Sequence, residues 1–367
     1  MKVAFDGQIF GMQKYGGISR YFARLAEELE QQKIQTRVYA GYHINSYLKG
    51  EGSLVKGQYL DRYPKRTIRM FRKWNGIRAS LASGIFGPDI VHETYFSPKA
   101  TLKGKGPTVV TVYDMIQELF PERFSPSQIH TEEKRAALAR ADHIISISHN
   151  TKKDLCELFG TAPEKVSVTH LAADPVLKTD FKKKETAGEK PYFLYVGLRL
   201  DYKNFRLLAQ AFAASERLMR DFRIMAFGGG GFNPSELEEY SRMGFKEGQL
   251  VSRGGSDEDL AQCYANAMAF VYPSLYEGFG IPPLEALSYS CPVVSSNSSS
   301  IPEVLGDAAL YFDPFSQEEL TRQLEKIAYE AQTRADLIKV GDARVTQFSW
   351  GKTAEETKAI YRNILGV

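Results

Sequence analysis

The sequence has little of what marks secreted, metal-binding or membrane-spanning proteins. Its 367 residues include only three cysteines, Cys156, Cys263 and Cys291, which are far apart and odd in number. This usage predicts neither a disulfide framework nor a cysteine metal site, and it fits a reduced, cytoplasmic compartment. No run reaches the roughly 18 apolar residues that a membrane-spanning helix needs. Asp6 interrupts the apolar residues at the N-terminus, so we expect no signal peptide.

The net charge is also small, at +3, which does not indicate a nucleic-acid-binding protein. One stretch differs from the rest, because residues 62–78 hold seven basic residues and no acid, interleaved with aromatic and aliphatic side chains. One interpretation of such a stretch is peripheral contact with an anionic membrane, at the inner face of the cell membrane. The alternative is a helix with a solvated basic face and apolar core contacts.

Short strands rich in β-branched residues alternate with amphipathic helices in both halves of the chain, which predicts an α/β protein with parallel sheets. The pattern lapses over residues 174–191, which are polar, rich in lysine and typical of a linker. We therefore predict domains at 1–178 and 179–348. Because ligands of open α/β sheets bind beyond the carboxyl ends of the strands, the loops that follow strands are the candidate sites.

The first such loop is VGLRLDYKN. Gly197 permits a tight turn, and Arg199 and Lys203 lie four residues apart ahead of a predicted helix. A planar guanidinium and a lysine point charge in this position suit a diphosphate. The alternative is a solvated loop with two unrelated basic residues.

The second loop contains four consecutive glycines, residues 228–231, between a predicted strand and a predicted helix. It does not match the dinucleotide fingerprint G-x-G-x-x-G, because Asn233 stands where the third glycine belongs. Close approach of the backbone to a nucleotide and a simple flexible turn both remain open.

The third loop is EGFGIPPLE, in which Glu277 and Glu285 are eight positions apart. Pro282 and Pro283 predict the start of a helix, so Glu277 lies in the loop and Glu285 in the first helical turn. The glycines let a ligand approach the main chain, and a carboxylate can accept hydrogen bonds from two neighbouring sugar hydroxyls. Alternatively, Glu285 is an acid favoured by the helix dipole.

These motifs together resemble glycosyltransferase family 4, whose retaining enzymes have the GT-B fold. EGFGIPPLE is similar to the E-x7-E motif of that family, and VGLRLDYKN is similar to its diphosphate-binding strand end. YGGISRYFARLAEEL, ARADHIISISHNTKKDL and FSWGKTAEETKAIYRNIL resemble further family segments, in order over nearly the whole chain. The resemblance implies two Rossmann-like domains facing each other across a cleft, with residues 349–367 crossing back as a helix onto the N-terminal, acceptor-side domain.

The resemblance also implies a role for each matching position. Glu277 would contact hydroxyls of the transferred sugar, and Glu285 would bind the ribose hydroxyls. Arg199 and Lys203 would neutralise the leaving diphosphate. The other implied donor-binding positions, at several of which backbone groups would approach the sugar or the phosphates, are Gly16, Gly17, Gly197, Phe279, Gly280 and Ile281.

The sequence departs from the family at Tyr113, where a histidine that touches the donor sugar is usual. Tyr113 is larger and less basic, and we expect it to form a wall of the donor site or a longer hydrogen bond. Asp114 is a candidate base for the acceptor hydroxyl, or it caps the following turn. His92, which lies at the end of a predicted strand, either faces the cleft or is a buried, hydrogen-bonded histidine.

The implied reaction transfers a hexose, with retained configuration, from a nucleotide diphosphate sugar to a saccharide or lipid-linked saccharide. The branch that the sequence resembles most is mannosyltransferase-like and builds bacterial surface polysaccharides (O-antigen or capsule). This resemblance implies GDP-mannose as the first candidate donor and UDP-hexoses as the next, since the residues themselves do not identify the nucleotide base. We expect no metal or other cofactor, because two cations and main-chain amides can stabilise the leaving diphosphate. The alternatives are an epimerase or phosphorylase on the same fold, or a non-catalytic binder of saccharide or nucleotide.

Overall fold

The computed structural model describes residues 1–49, 53–125, 130–174 and 190–367. The chain divides into two compact units, one of Met1–Leu171 with Ser349–Val367 and the other of Ala172–Phe348. The predicted domain boundary at residue 178 and most of the predicted linker lie outside the described residues. So does the beginning of a helix that we predict from residue 127.

The first unit is built on a sheet whose strands pair in parallel in the order β3-β2-β1-β4-β5-β6-β7. Strands β4, β5 and β6 are almost wholly buried, as expected for a parallel sheet that helices cover on both faces. The strands are β1 (Lys2–Phe5), β2 (Gln35–His43), β3 (Val55–Tyr59), β4 (Ile90–Glu93), β5 (Thr108–Val112), β6 (His143–Ser146) and β7 (Val166–Val168). The helices are α1 (Gly17–Gln31), α2 (Ile68–Phe86), α3 (Ile116–Leu119), α4 (Thr131–Arg140) and α5 (His149–Phe159).

The second unit contains a parallel sheet in the order β10-β9-β8-β11-β12-β13. Its strands are β8 (Tyr192–Val196), β9 (Arg223–Phe227), β10 (Leu250–Arg253), β11 (Ala269–Tyr272), β12 (Val293–Ser296) and β13 (Ala309–Phe312). Its helices are α6 (Phe205–Ala213), α7 (Glu216–Asp221), α8 (Pro234–Arg242), α9 (Asp257–Asn266), α10 (Ile281–Ser288), α11 (Ile301–Leu305), α12 (Gln317–Tyr329) and α13 (Ala331–Val345). Phenylalanines of β8, α6 and β13 lie in its core.

The predicted α/β class with parallel sheets is confirmed, and one predicted helix is wrong in extent. The sequence predicts a single helix over residues 204–218, but the structure has α6 and α7 with a break at Ser215. The Ser215 hydroxyl accepts a hydrogen bond from the Leu218 backbone amide, which caps α7. A serine side chain competes with the helical backbone for hydrogen bonds, so it favours a new helix start over continuation.

The last helix, α14 (Trp350–Leu365), belongs to the first unit although it follows the second in sequence. Ser349 caps it by accepting a hydrogen bond from the Lys352 amide at 3.2 Å. The Thr353 hydroxyl donates to the carbonyl of His170 at 2.8 Å, which ties α14 to the segment after β7. None of the helices in the described ranges combines the length and the apolar character that a bilayer crossing requires.

Candidate active site

Three loops of the second unit meet at one edge of its sheet. They follow β8, β9 and β11, and these strands are neighbours in the sheet order. Because the strands are parallel, their carboxyl ends lie at the same edge, where open α/β sheets bind ligands. The loops predicted from sequence to contain the site therefore lie beside one another.

Lys203 and Glu277 form an ion pair at this edge. The Lys203 Nζ lies 2.6 Å from Glu277 Oε1, and the two side chains are 19% and 13% exposed. Lys203 ends a short 3-10 turn after β8, and Leu275 of the β11 loop donates its backbone N–H to the Tyr202 carbonyl at 2.8 Å. The two loops are thus joined through the backbone and through a charged pair. The pair is partly open to solvent.

Two serines hold the loop around Glu277. The Glu277 backbone N–H donates to Ser299 Oγ at 2.9 Å, and the Ser300 hydroxyl lies within hydrogen-bond distance of the carbonyls of Glu277 and Phe279. Ser300 is fully buried. These two residues were not predicted from the sequence; the one available signal is the serine-rich stretch SSNSSS, residues 295–300, which begins with the last two residues of β12.

The second glutamate of the motif lies on α10, which begins after Gly280. Glu285 is not in the predicted first turn but is the fifth residue of the helix, because α10 already starts at Ile281, before the two prolines. Gly280 has φ +108°, a conformation that L side chains rarely adopt, so glycine is required at this turn. Prolines at the first helical turn follow, where no backbone N–H is needed. Glu285 is half-buried and accepts a hydrogen bond from the Tyr264 hydroxyl at 3.3 Å. The Tyr264 ring stacks on Tyr289 at 5.9 Å, so Glu285 is held against a rigid aromatic pair.

Arg199 has different partners from Lys203. Its guanidinium pairs with Glu236 at 2.8 Å (Nε to Oε1) and donates to the carbonyls of Gly230 and Gly231 at 3.2 and 2.8 Å. It also lies over the Phe232 ring at 4.4 Å, and its side chain is only 7% exposed. The hydrogen bond from Arg199 lowers the pKa of Glu236. Arg199 therefore fixes the glycine loop, and Glu236 already balances its charge.

The glycine loop approaches the β8 loop backbone to backbone. A Cβ built on Gly229 would lie 2.9 Å from the Gly197 carbonyl oxygen. Gly228, Gly229 and Gly230 all have positive φ, between +72° and +80°. The loop begins helix α8 with a capping box between Asn233 and Glu236. These contacts define a shaped loop and not a simple flexible turn, and the approach of its backbone to a nucleotide stays a prediction.

Our expectation of no metal also assumed that the chain lacks an Asp-x-Asp sequence, a spacing that can hold a metal ion. This assumption is wrong, because residues 257–259 form such a sequence. Asp259 closes a capping box with Ser256 at the start of α9, and backbone and side-chain hydrogen bonds from Ser256 lower the pKa of Asp259. This triplet thus has a local structural role as a helix start.

Tyr113 and Asp114 follow β5 in the first unit. Tyr113 is buried, its hydroxyl donates to the Thr94 carbonyl at 2.9 Å, and burial raises its pKa well above the usual range. Asp114 is half-buried, and its carboxylate accepts a hydrogen bond from the Ile116 amide at 3.2 Å. The capping contact considered for Asp114 is therefore present, while its role as a base stays a prediction.

The predicted glycine pair lies at the start of α1 in the first unit. Gly16 is the N-cap residue and Gly17 the first residue of the helix. A Cβ on Gly16 would lie 2.3 Å from the Gln13 side-chain oxygen, which accepts a hydrogen bond from the Ser19 amide at 3.2 Å. Gly16 thus leaves room for a glutamine that satisfies the helix start. The proposed contact of both glycines with phosphates stays a prediction.

His92, at β4 in the first unit, is the buried, hydrogen-bonded histidine of the two alternatives. It is fully buried, with Nδ1 2.6 Å from the Tyr361 hydroxyl and Nε2 2.8 Å from Thr111 Oγ1. Burial lowers its pKa to about 3. His92 is therefore neutral and joins α14 to the centre of the first sheet.

Comparison with known proteins agrees with this arrangement. The model of Glycosyltransferase Family 4 matches residues 15–176, and that of Glycosyl transferases group 1 matches residues 177–344. O-antigen chain mannosyltransferase B of Escherichia coli is 32% identical over 266 residues, which cover 69% of this chain and 70% of that protein. The serotype-specific mannosyltransferase WbdA of Escherichia coli is 28% identical, and the match covers 67% of this chain but only 32% of that longer protein.

Solved structures show the same fold. WaaG, a glycosyltransferase involved in lipopolysaccharide biosynthesis, superposes with a TM-score of 0.70 at 18% identity over 100% of both chains. Anabaena HepE in complex with UDP-glucose superposes with a TM-score of 0.72 at 16% identity, over 99% of this chain and 100% of that one. The chain therefore belongs to glycosyltransferase family 4, and it is a glycosyltransferase with the GT-B fold.

Proposed function

We propose that the protein transfers mannose from GDP-mannose, with retained configuration, to a saccharide or lipid-linked saccharide during synthesis of a bacterial surface polysaccharide. The mannosyl and O-antigen assignments rest on the names of relatives, O-antigen chain mannosyltransferase B among them. The observation on which the proposal mainly rests is the Lys203–Glu277 pair at the sheet edge, beside the glycine turn that leads to Glu285.

In the proposed reaction, an acceptor hydroxyl forms a bond to the anomeric carbon as the bond from that carbon to the diphosphate oxygen breaks. The leaving diphosphate takes the electron pair and, on the same face, the proton of the acceptor. Lys203 exchanges its contact with Glu277 for the developing negative charge, which a preorganised cation stabilises more in the transition state than in the ground state. Glu277 is then available to the sugar, and Glu285 accepts hydrogen bonds from the ribose hydroxyls. No metal is required in this scheme.

A nucleotide panel tests the proposal. Purified protein is heated with GDP, UDP, dTDP or ADP, and a ligand that binds only the folded state raises the melting temperature. We expect GDP to raise it most, and GDP-mannose to be hydrolysed slowly without acceptor. Interconversion of nucleotide sugars or dependence on phosphate would instead support the epimerase or phosphorylase. Stabilisation by nucleotide without any turnover, with or without acceptor, would support the binder.

Helix α2 is the second part of the proposal, because we infer that it lies on an anionic membrane at the inner face of the cell membrane. At about 100° per residue, one set of exposed apolar side chains falls within about 80° of the helix circumference, opposite the buried Ser83 and Phe86. Lys73 and Arg78 flank this stripe on its two sides. We call it the α2 stripe; its members are Met70, Trp74, Ile77, Leu81 and Ile85, which are between 50% and 90% exposed.

Sedimentation with vesicles tests the membrane contact. We expect binding to vesicles that contain anionic phospholipid, weaker binding at high salt, and no binding to neutral vesicles, because basic residues near the surface are attracted electrostatically. Absence of binding to anionic vesicles at low salt would reject the contact and leave the transfer reaction untouched.

A further inference from the structure

We propose that Ser299, in the segment after β12, is a positioning residue for Glu277 in the transfer reaction. Its hydroxyl fixes the backbone of Glu277, so that the carboxylate keeps its place when Lys203 turns to the leaving diphosphate. The inference rests on the role proposed for Glu277 and deepens it, because it adds a residue from a different loop of the second unit. Ser299 acts through Glu277 and is assigned no contact with the substrate.

Serine side chains continue the contact between β11 and β12 beyond the end of the backbone ladder. The last paired residues of the two strands are Tyr272 and Ser295. The Ser295 hydroxyl donates to the Tyr272 carbonyl at 3.3 Å, and the Ser296 hydroxyl donates to the Ser274 carbonyl at 2.6 Å. Both serines are fully buried, and they supply hydrogen bonds to main-chain carbonyls that lie away from water. The start of the loop that contains Glu277 is therefore fixed to the segment after β12.

The next serines of this segment bind both main-chain groups of Glu277. Ser299 Oγ accepts a hydrogen bond from the Glu277 N–H at 2.9 Å, and Ser300 Oγ lies 2.8 Å from the Glu277 carbonyl oxygen. Because the N–H and the carbonyl are both bound, the direction of the Cα–Cβ bond of Glu277 is fixed, and the carboxylate moves only through side-chain torsions. In the proposed reaction Lys203 gives up its contact with Glu277, and the two serines then still hold the glutamate beside the sugar.

The backbone of Ser299 is in the left-handed region, with φ +52°. Side chains are strained in this conformation, whereas glycine adopts it readily. Serine therefore costs conformational energy that glycine would not cost at this position. Such strain is found at functional sites, where the surrounding contacts maintain it. What serine supplies here, and glycine cannot, is the hydroxyl that binds Glu277.

Ser290 provides a matched control, because it has nearly the same backbone conformation in the same unit. Its φ is +50°, it is exposed after the end of α10, and its hydroxyl donates to Asp342 at 2.9 Å. Glycine at either position relieves the strain and removes one hydroxyl hydrogen bond, whereas alanine removes the hydroxyl and keeps the strain. The four variants therefore separate the loss of a hydroxyl from a change in backbone freedom.

Hydrolysis of GDP-mannose without acceptor and calorimetric titration of GDP test the inference on the full-length protein. We expect Ser299→Ala and Ser299→Gly each to lower kcat at least about tenfold, because a displaced carboxylate no longer meets the sugar as its bond breaks. Both should bind GDP as wild type does, since GDP lacks the sugar that Glu277 contacts. Ser290→Ala and Ser290→Gly should equal wild type in kcat and in GDP affinity.

A double-mutant cycle then connects Ser299 to Glu277. Glu277→Gln should itself lower kcat, and Ser299→Ala added to it should lower kcat no further, because the hydroxyl acts only through the carboxylate. Effects that multiply in the double variant would show that Ser299 acts apart from Glu277, and the inference would be wrong.

Wild-type kcat in Ser299→Ala would overturn the inference, and so would a fall in Ser299→Gly alone, which would point to backbone freedom instead of the hydroxyl. A loss of GDP affinity that parallels the loss of kcat would also contradict it, since the whole loop would then be displaced. If Glu277→Gln or wild-type protein shows that Glu277 has no part in turnover, or that there is no turnover, the proposed function fails and the inference with it. A fall in Glu277→Gln without a fall in Ser299→Ala removes the inference alone.

Discussion

Two cations four residues apart in one loop have unlike surroundings. Lys203 pairs with Glu277 at the sheet edge, whereas Arg199 is bound to Glu236 and to two carbonyls of the glycine loop. The sequence assigns both to the diphosphate. Lys203 lies partly exposed beside Glu277 at the sheet edge, whereas the contacts of Arg199 shape the glycine loop.

The surroundings of the two cations predict the effect of removing each. Lys203→Ala should lower kcat by on the order of 10²-fold if the charge stabilises the transition state by about 3 kcal/mol, and it should also lower the melting temperature, because the 13% exposed Glu277 loses this cation. Arg199→Ala should lower the melting temperature as well, because it leaves Glu236 without its partner and frees the glycine loop. Steady-state kinetics and thermal unfolding of both variants provide the measurement. Unchanged kcat in Lys203→Ala would remove Lys203 from the mechanism.

Glu93 in the first unit should make stability depend on pH. It is buried, and desolvation first and nearby Asp6 second raise its pKa from 4.5 to about 7, although Arg140 pairs with it at 2.5 Å. The folded state therefore holds the proton more tightly than the unfolded state. Proton binding to Glu93 therefore stabilises the folded state fully below the pKa that Glu93 has in the unfolded state. This stabilisation is lost as the pH rises to the pKa of the folded state, and the free energy of unfolding then falls by at most about 1.4 kcal/mol per pH unit.

Urea unfolding of wild type and Glu93→Gln at about pH 5 and about pH 7.5 measures this effect. We expect wild type to lose more unfolding free energy than Glu93→Gln between the two values, since glutamine keeps the shape but cannot ionise. The lowered pKa of His92 changes stability in the opposite direction, but it does so in both proteins and cancels in the comparison. Parallel pH profiles would show that Glu93 does not titrate in this range.

Site residues could be predicted from the sequence only where they follow strands. Lys203 and Glu277 were predictable because each lies after a strand of a parallel sheet, and neighbouring strands bring such residues together. The role of Glu236 as the partner of Arg199 was not predictable, because Glu236 is 37 positions away and has the sequence pattern of an ordinary acid in a first helical turn. The local sequence pattern predicts the secondary-structure element to which a residue belongs, whereas tertiary contacts determine which partner its side chain binds.

At the scale of elements, the strands that sequence analysis did not identify all lie at sheet edges. These are β3, β10 and β13, and β3 has the sequence VKGQY with its three central residues exposed. An edge strand in contact with solvent needs no continuous apolar run, so it lacks the signal that reveals buried parallel strands. Helix α2 has more apolar residues than its burial explains. They lie on two faces of the helix, and only the structure shows which face is exposed.

One of the contacts that hold α14 on the first unit is a buried hydrogen bond between its Tyr361 and His92 of β4. Tyr361→Phe removes the hydroxyl and leaves a ring nitrogen of His92 without this partner, so the free energy of unfolding should fall by about 1–3 kcal/mol. Denaturant unfolding measures the loss. Tyr15→Phe is the control, because Tyr15 is 62% exposed and its change should stay within about 0.5 kcal/mol. Equal effects of the two variants would contradict this role for Tyr361.

At the scale of the whole molecule, the chain leaves the first unit, builds the second and returns. The returning helix starts at Trp350, which is 4% exposed and lies 6.3 Å from the Tyr21 ring of α1. The chain has only one other tryptophan, Trp74 of the α2 stripe, which is 54% exposed. The two tryptophans therefore report on a buried helix contact and on an exposed surface of the same unit.

Trp350→Ala should destabilise the first unit by about 3–5 kcal/mol, because it empties a site in the packed contact between α14 and α1. In hydrogen exchange, amides of β1, β4 and β5 should then exchange faster, while those of β8, β9 and β11 keep their wild-type rates, since each unit has its own sheet and core. Trp74→Ala should leave both sets unchanged while it weakens binding to anionic vesicles. Equal acceleration of both sets in Trp350→Ala would mean that the two units unfold as one cooperative body, and the stabilising effect of the returning helix would then extend to the sheet of the second unit.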